Sequence, residues 1–193
     1  MCSLSMAKVN AAVFASGSGS NFEAIMQAGE LPCSIDLLVC DKPGAGVVDR
    51  AERLNVPVYE TTPKQFADKA AFETNLVQVL RESGIEWIFL AGYMRLIGPV
   101  LLDAYEGRIL NIHPSLLPAF PGADGIGDAF RANVQKTGVT IHYVDAGMDT
   151  GPVIAQHEVE ILPDDTIDTL AERIHKVEHV LYPEVIRNLI TKE

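Results

Sequence analysis

The chain has 193 residues, 48% of them hydrophobic and 21% charged, with a formal net charge of −11. That length and apolar content build a packed globule with a full core and exclude a disordered chain. No apolar run approaches the roughly 18 residues of a membrane span, and the negative charge opposes nucleic-acid phosphates and anionic lipid surfaces, leaving small molecules or other proteins as partners.

The opening MCSLSMAKVN lacks the charged-then-apolar layout of a secretory signal, and residues 1–7 read as a disordered or added tail before a single domain. Residues 9–16 (VNAAVFAS) read as a buried strand, GSGSN as a turn, and residues 22–28 as a helix with apolar side chains at helical spacing. A second strand, residues 35–40, leads through DKPGAG into a helix over residues 47–54 and a short strand, VPVY, at residues 56–59. Thr62 and Pro63 read as the start of a long amphipathic helix from Lys64 to Glu82. The apolar run of residues 85–92 is the next buried strand, residues 98–105 a helix, and residues 108–112 (RILNI) another buried strand.

Strands alternating with helices predict an α/β fold: a doubly wound, mostly parallel, Rossmann-like sheet covered on both faces. The pattern then changes. Residues 137–144 and 152–161 are strands joined by the short loop DAGMDTG, which predicts an antiparallel addition near the C-terminal end. A final helix from Thr166 to about Ile190, bent at Pro183, closes the chain. Cys2, Cys33 and Cys40 form no CxxC pair and read as free thiols of a reducing cytoplasm, not as a metal or redox site.

Three stretches carry chemistry. The first is SGSGSN, Ser16 to Asn21. Glycines let backbone approach a ligand, and the following helix aims free N–H groups and its positive dipole end at the loop. Ser18 and Ser20 add hydroxyl donors. No lysine follows, so this is not a Walker loop, and Phe22 breaks GxGxxG, which disfavours a dinucleotide. A monophosphate suits one short loop, and a plain strand-to-helix turn is the competing reading.

The second is LNIHPSLLPAFPG, residues 110–122. Asn111 and His113 lie two apart near a strand end, so both side chains face one side ahead of a proline-stiffened loop. A structural histidine is the competing reading. The third is DAGMDTGPVI, with Asp145 and Asp149 between two strands. Loop aspartates usually hold turns, but one buried beside an imidazole would fix its tautomer and favour its charged form.

With these residues in place the sequence resembles the glycinamide ribonucleotide formyltransferases, folate-dependent enzymes of purine synthesis. The resemblance runs from about Lys8 to the end and rests on SGSGSN, LAGYMRLIGP, RILNIHPSLLPAFPG, GVTIHYVDAGMDTGPVIAQ and VEHVLYPEV, in that order. It implies transfer of a formyl group from 10-formyltetrahydrofolate, as co-substrate, to the amine of glycinamide ribonucleotide, without a metal. It assigns Asn111, His113 and Asp149 as the catalytic set. It places Gly19, Ser20 and Asn21 on the ribonucleotide phosphate and Glu178 on the ribose, although spacing alone would make Glu178 a helix-surface residue. Met94, Arg95, Leu96 and Ile97, with Asn111, Val144 and Asp145, match the folate wall. Lys69, where the family often has arginine, faces the folate's glutamate tail.

The chain also departs from the family. Asp124 stands where a histidine is common, between PAFPG and two nearby glycines, which predicts a more mobile loop over residues 123–128. His142 reads as a supporting or core residue. The expected partners are the small-molecule substrates, and the chain is expected to be cytoplasmic, as a monomer or homodimer. A formyltetrahydrofolate hydrolase shares the Asn, His and Asp set, but usually adds an N-terminal domain and lacks the Gly/Ser loop. A methionyl-tRNA formyltransferase calls for an RNA-binding extension. A noncatalytic nucleotide-binding module does not explain the three polar residues together.

Overall fold

Residues in consecutive positions of a strand face opposite sides of its sheet, and here both sides are apolar. In β1 (Val9–Ala15) the side chains of Ala11, Val13 and Ala15 join one core while Ala12 and Phe14 join the other. The computed structural model describes residues 8–190, so the tail expected at residues 1–7 lies outside the described residues. The other strands are β2 (Cys33–Cys40), β3 (Val58–Glu60), β4 (Trp87–Leu90), β5 (Ile109–His113), β6 (Lys136–Tyr143) and β7 (Val153–Glu160).

They form one seven-stranded sheet in the order β3-β2-β1-β4-β5-β6-β7. The β1–β2, β2–β3, β1–β4 and β4–β5 pairs are parallel, and β5–β6 and β6–β7 are antiparallel, as the sequence predicts. One core lies under α1 (Ser20–Gln27), α2 (Gly46–Arg53) and α6 (Ile167–Ile190). The other lies under α3 (Lys69–Glu82) and α4 (Pro99–Ala104). Cys33 and Cys40 are buried free thiols, and burial pushes Cys33 up to about 11.

Two expectations need correcting. The long helix does not begin at Lys64. Pro63–Gln65 is a separate 3-10 turn, and α3 starts at Lys69 because the Asp68 carboxylate accepts from the Ala71 N–H at 2.8 Å. Phe66, extended between the two, packs edge-on against Phe72. The glycine-rich stretch read as a mobile loop contains a helix, α5 (Gly125–Arg131), with Asp124 as its capping residue. The final helix, α6, matches its expected span and continues through Pro183. The fully buried Tyr182 anchors it, donating its hydroxyl to the Leu90 carbonyl at 2.9 Å and the Leu110 carbonyl at 3.3 Å.

Candidate active site

From β1 the chain winds out through β2 to β3 on one side and through β4 to β5 on the other, so the winding reverses between β1 and β4. In such sheets the crevice beyond the strands' carboxyl ends at the reversal takes the ligand. A cleft of about 490 Å³ lies there. Its lining includes the Gly17–Asn21 loop after β1, Leu90–Ile97 after β4, Asn111–Pro114 at the end of β5, His142 and Val144, Gly147–Asp149, and His175 and Glu178 from α6.

The loop after β1 is shaped by one glycine. Gly19 caps α1 in the left-handed region at φ 82°, and a Cβ there would lie 2.5 Å from Val47 Cγ2. The α1 ladder begins with Glu23 N–H donating to Gly19 O at 2.9 Å, so the N–H groups of Ser20, Asn21 and Phe22 precede any helical acceptor. Asn21 Oδ1 is buried without a hydrogen-bond partner. Across from this loop Glu178 is buried, and its Oε1 meets Nδ1 of His175 at 2.5 Å. The Glu178 carboxylate raises His175 above its ordinary value of 6.5. Among the histidines and carboxylates of the lining, His175 is the one that sequence reasoning missed. Its only signal was its place one turn before Glu178 on an amphipathic helix.

Asn111 and His113 share a side of β5, as their spacing predicts, and pairing with β6 supplies their neighbours. Asn111 sits directly opposite His142, and the Asn111 Nδ2 to His142 Nε2 distance is 3.4 Å. His142 Nδ1 meets the Tyr143 carbonyl at 2.8 Å. A carbonyl only accepts, so Nδ1 carries the proton and Nε2 of the neutral ring accepts from the Asn111 amide. His142 is thereby a partner of Asn111, in keeping with a supporting role.

The buried His113 is held through Nε2 and faces a carboxylate with Nδ1. Nε2 lies 2.8 Å from the Phe120 carbonyl, and Nδ1 lies 3.6 Å from Asp149 Oδ2. The carbonyl only accepts, so Nε2 carries a proton. Asp149 adopts the left-handed conformation at φ 56°, accepts the Gly122 N–H at 2.9 Å, and brings Oδ1 to 3.9 Å from His142 Nε2. One carboxylate therefore faces two imidazoles, one of which holds Asn111.

The remaining predicted positions divide. Met94 and Leu96 line the cleft as exposed apolar side chains, beside the buried Ile97 and the half-buried Val144, and they are joined by Met148, which the sequence reading did not name. Arg95 lines it too, with Nε held by the buried Asp41 at 2.7 Å; Asp41 also accepts the Ser16 hydroxyl at 2.5 Å. Asp145 is outside the lining. Its carboxylate accepts the Thr150 hydroxyl at 2.6 Å and the Gly147 N–H at 3.0 Å, which hold it below the usual carboxylate range. Lys69, exposed at the first turn of α3, is outside it as well.

The formyl transferase family model matches residues 9–186. Phosphoribosylglycinamide formyltransferase of Bacillus subtilis is 57% identical over 182 residues, 93% of each chain. The crystal structure of phosphoribosylglycinamide formyltransferase from Bacillus halodurans is similar at TM-score 0.92 and 57% identity, covering 95% of this chain and 96% of that one. Glycinamide ribonucleotide transformylase 1 from Geobacillus kaustophilus gives a TM-score of 0.92 at 61% identity, over 95% and 99% of the two chains. With its sheet order, its cleft and this likeness along nearly its whole length, the chain belongs to the formyl transferase family.

Proposed function

We propose that the protein transfers the formyl group of 10-formyltetrahydrofolate to the amine of glycinamide ribonucleotide, yielding formylglycinamide ribonucleotide and tetrahydrofolate in de novo purine biosynthesis. The observation that carries the reading is that one cleft holds both an anion-suited loop, Gly17–Asn21, and the Asn111, His113 and Asp149 cluster. The loops after β1 and β5 belong to strands separated by β4 alone, about 10 Å at ordinary strand spacing. A ribonucleotide anchored by its phosphate at one loop can present its far end at the other.

Gly19, Ser20 and Asn21 take the phosphate through backbone N–H groups and the α1 dipole, and Glu178 accepts from the ribose hydroxyls. The folate lies against Met94, Leu96, Ile97 and Val144, with Asp145 shaping the loop beside it and Arg95 and Lys69 toward its acidic tail. The amine attacks the formyl carbon, a C–N bond forms, and the carbonyl oxygen becomes an oxyanion. The Asn111 amide and the His113 imidazolium donate to it, and donors aimed at developing charge are commonly a large catalytic contribution. The intermediate collapses by breaking the bond to the folate nitrogen. That nitrogen takes up a proton from His113, and the attacking amine loses one toward Asp149 through a water. The Nδ1 to Asp149 separation of 3.6 Å is looser than a hydrogen bond, so the ring proton is available to substrate.

Residues 8–193 act as one formyltransferase domain on this reading, and the setting is the cytoplasm. Among the described residues no helix is long and apolar enough to cross a membrane. The test is an assay with both substrates, in which tetrahydrofolate appears at a rate that depends on each. Equal release of tetrahydrofolate and formate without the ribonucleotide would show a hydrolase, and no turnover under any condition would leave a binding module.

A further inference from the structure

The segment Asp124–Gly125–Ile126–Gly127 has no part in the chemistry above, yet it packs on the edge of the imidazole that performs it. Gly125 is buried, and a Cβ there would lie 3.0 Å from His113 Nε2, 3.2 Å from the Phe120 carbonyl oxygen and 3.3 Å from the Pro114 carbonyl oxygen. The first two of those atoms are the partners of the 2.8 Å His113 to Phe120 contact. The two oxygens belong to backbone and yield little, so a side chain at position 125 presses on the ring, which gives by a few tenths of an ångström.

The turn is held in place by its own residues. Two glycines among the first three residues of α5 give little helical propensity. Asp124 compensates: its Oδ1 accepts the Gly127 N–H at 3.2 Å, and its Oδ2 accepts from Arg131 at 2.7 Å. Arg131 also donates to Asp128 at 3.0 Å. A Cβ on Gly127 would lie 2.3 Å from Asp124 Oδ2, so this second glycine makes room for the capping carboxylate.

We infer that the Asp124–Gly127 turn is a positioning device for His113. Gly125 sets the tilt of the ring that keeps Nε2 on the Phe120 carbonyl and Nδ1 toward Asp149, and Asp124 fixes Gly125. The inference rests on the proposed role of His113 in formyl transfer. It also gives the acidic residue at position 124 a function of its own, where the family often has a histidine.

The test compares Gly125→Ala, Asp124→Ala and Asp124→Asn in the full chain, reading kcat, both KM values and the His113 ring nitrogen and proton resonances. Gly125→Ala should lower kcat by about tenfold or more, since small misplacements near the reacting atoms are costly, with both KM values unchanged. Asp124→Ala should lower kcat less, and Asp124→Asn should restore it, because asparagine caps nearly as well. The His113 resonances should move in the two impaired variants and return in Asp124→Asn. The inference is overturned if kcat per folded molecule is unchanged in Gly125→Ala and Asp124→Ala, or falls without any movement of those resonances. If Gly125→Ala does not fold, the Asp124 pair decides by the same criteria. Absence of turnover in the unsubstituted protein would instead sink the formyl-transfer reading, and the resonances would still test the positioning.

Discussion

Asn111 and His113 are both constrained by groups that can only accept from them. His142 in its Nδ1-protonated form takes one amide proton of Asn111, while Phe120 and Asp149 flank the two nitrogens of His113. On the proposed reading the second Asn111 amide proton and the loosely flanked His113 Nδ1 are thus aimed before a substrate arrives, which is what electrostatic preorganisation requires. Replacing His113 with alanine should lower kcat by about 10²–10³, the usual effect of losing an oxyanion donor. The melting temperature of the variant should show it still folded, and full activity in a folded variant would remove His113 from the mechanism. The pairing of Asn111 with His113 was legible in the sequence because strand periodicity puts alternate residues on one side. Asp149 was legible beside His113 only through the family resemblance, and the other partners were not legible, since His142 arrives from β6 and the Phe120 carbonyl from the loop after β5, through contacts that no local pattern encodes.

Among the elements, α6 has the most varied duties. It contributes Leu170, Ile174 and Ile186 to one core, lends Tyr182 to the strand ends, and presents His175 and Glu178 to the cleft. The two histidines on this stretch respond to pH in opposite senses. The Glu178 carboxylate raises His175 above 6.5, whereas burial lowers His179 below it. The stabilisation from His175 is therefore complete below about pH 6.5, its unfolded value, and is lost as pH rises through the higher folded value. His179 instead makes folding less favourable as pH falls below 6.5. Thermal melts of His175→Gln should lose the part of the stability decline that the parent shows on going from pH 6.5 upward. An unchanged decline would separate His175 from Glu178 energetically. Most helices were legible from periodicity. The exceptions are instructive: α5 hid behind glycines that read as breakers, and α3 starts late because Asp68 caps more effectively than Thr62, which makes no side-chain capping bond.

At the scale of the whole molecule, alternation of strands and helices was enough to give the winding, and the change of spacing after residue 137 marked the antiparallel edge. Charge shapes ligand capture at the same scale. A net −11 repels an anionic ribonucleotide, while the loop that would hold its phosphate does so with uncharged N–H groups. Going from about 0.01 M to 0.15 M salt shortens the screening length from about 30 Å to 8 Å. The ribonucleotide KM should therefore fall over that range in steady-state assays, and a KM that rises would mean that nearby cations dominate. The Tyr182 tether has a last consequence. Its hydroxyl is fastened to Leu90 and Leu110, the residues that lead into the proposed folate wall and the Asn111–His113 strand end, while Glu178 stands one turn earlier on the same helix. That single turn spans about 6 Å along the axis. On the proposed reading α6 is a ruler fixed to the floor of the cleft, and it gauges the span from ribose to reacting amine. A ligand one bond too long would reach Glu178 or the end of β5 without reaching both.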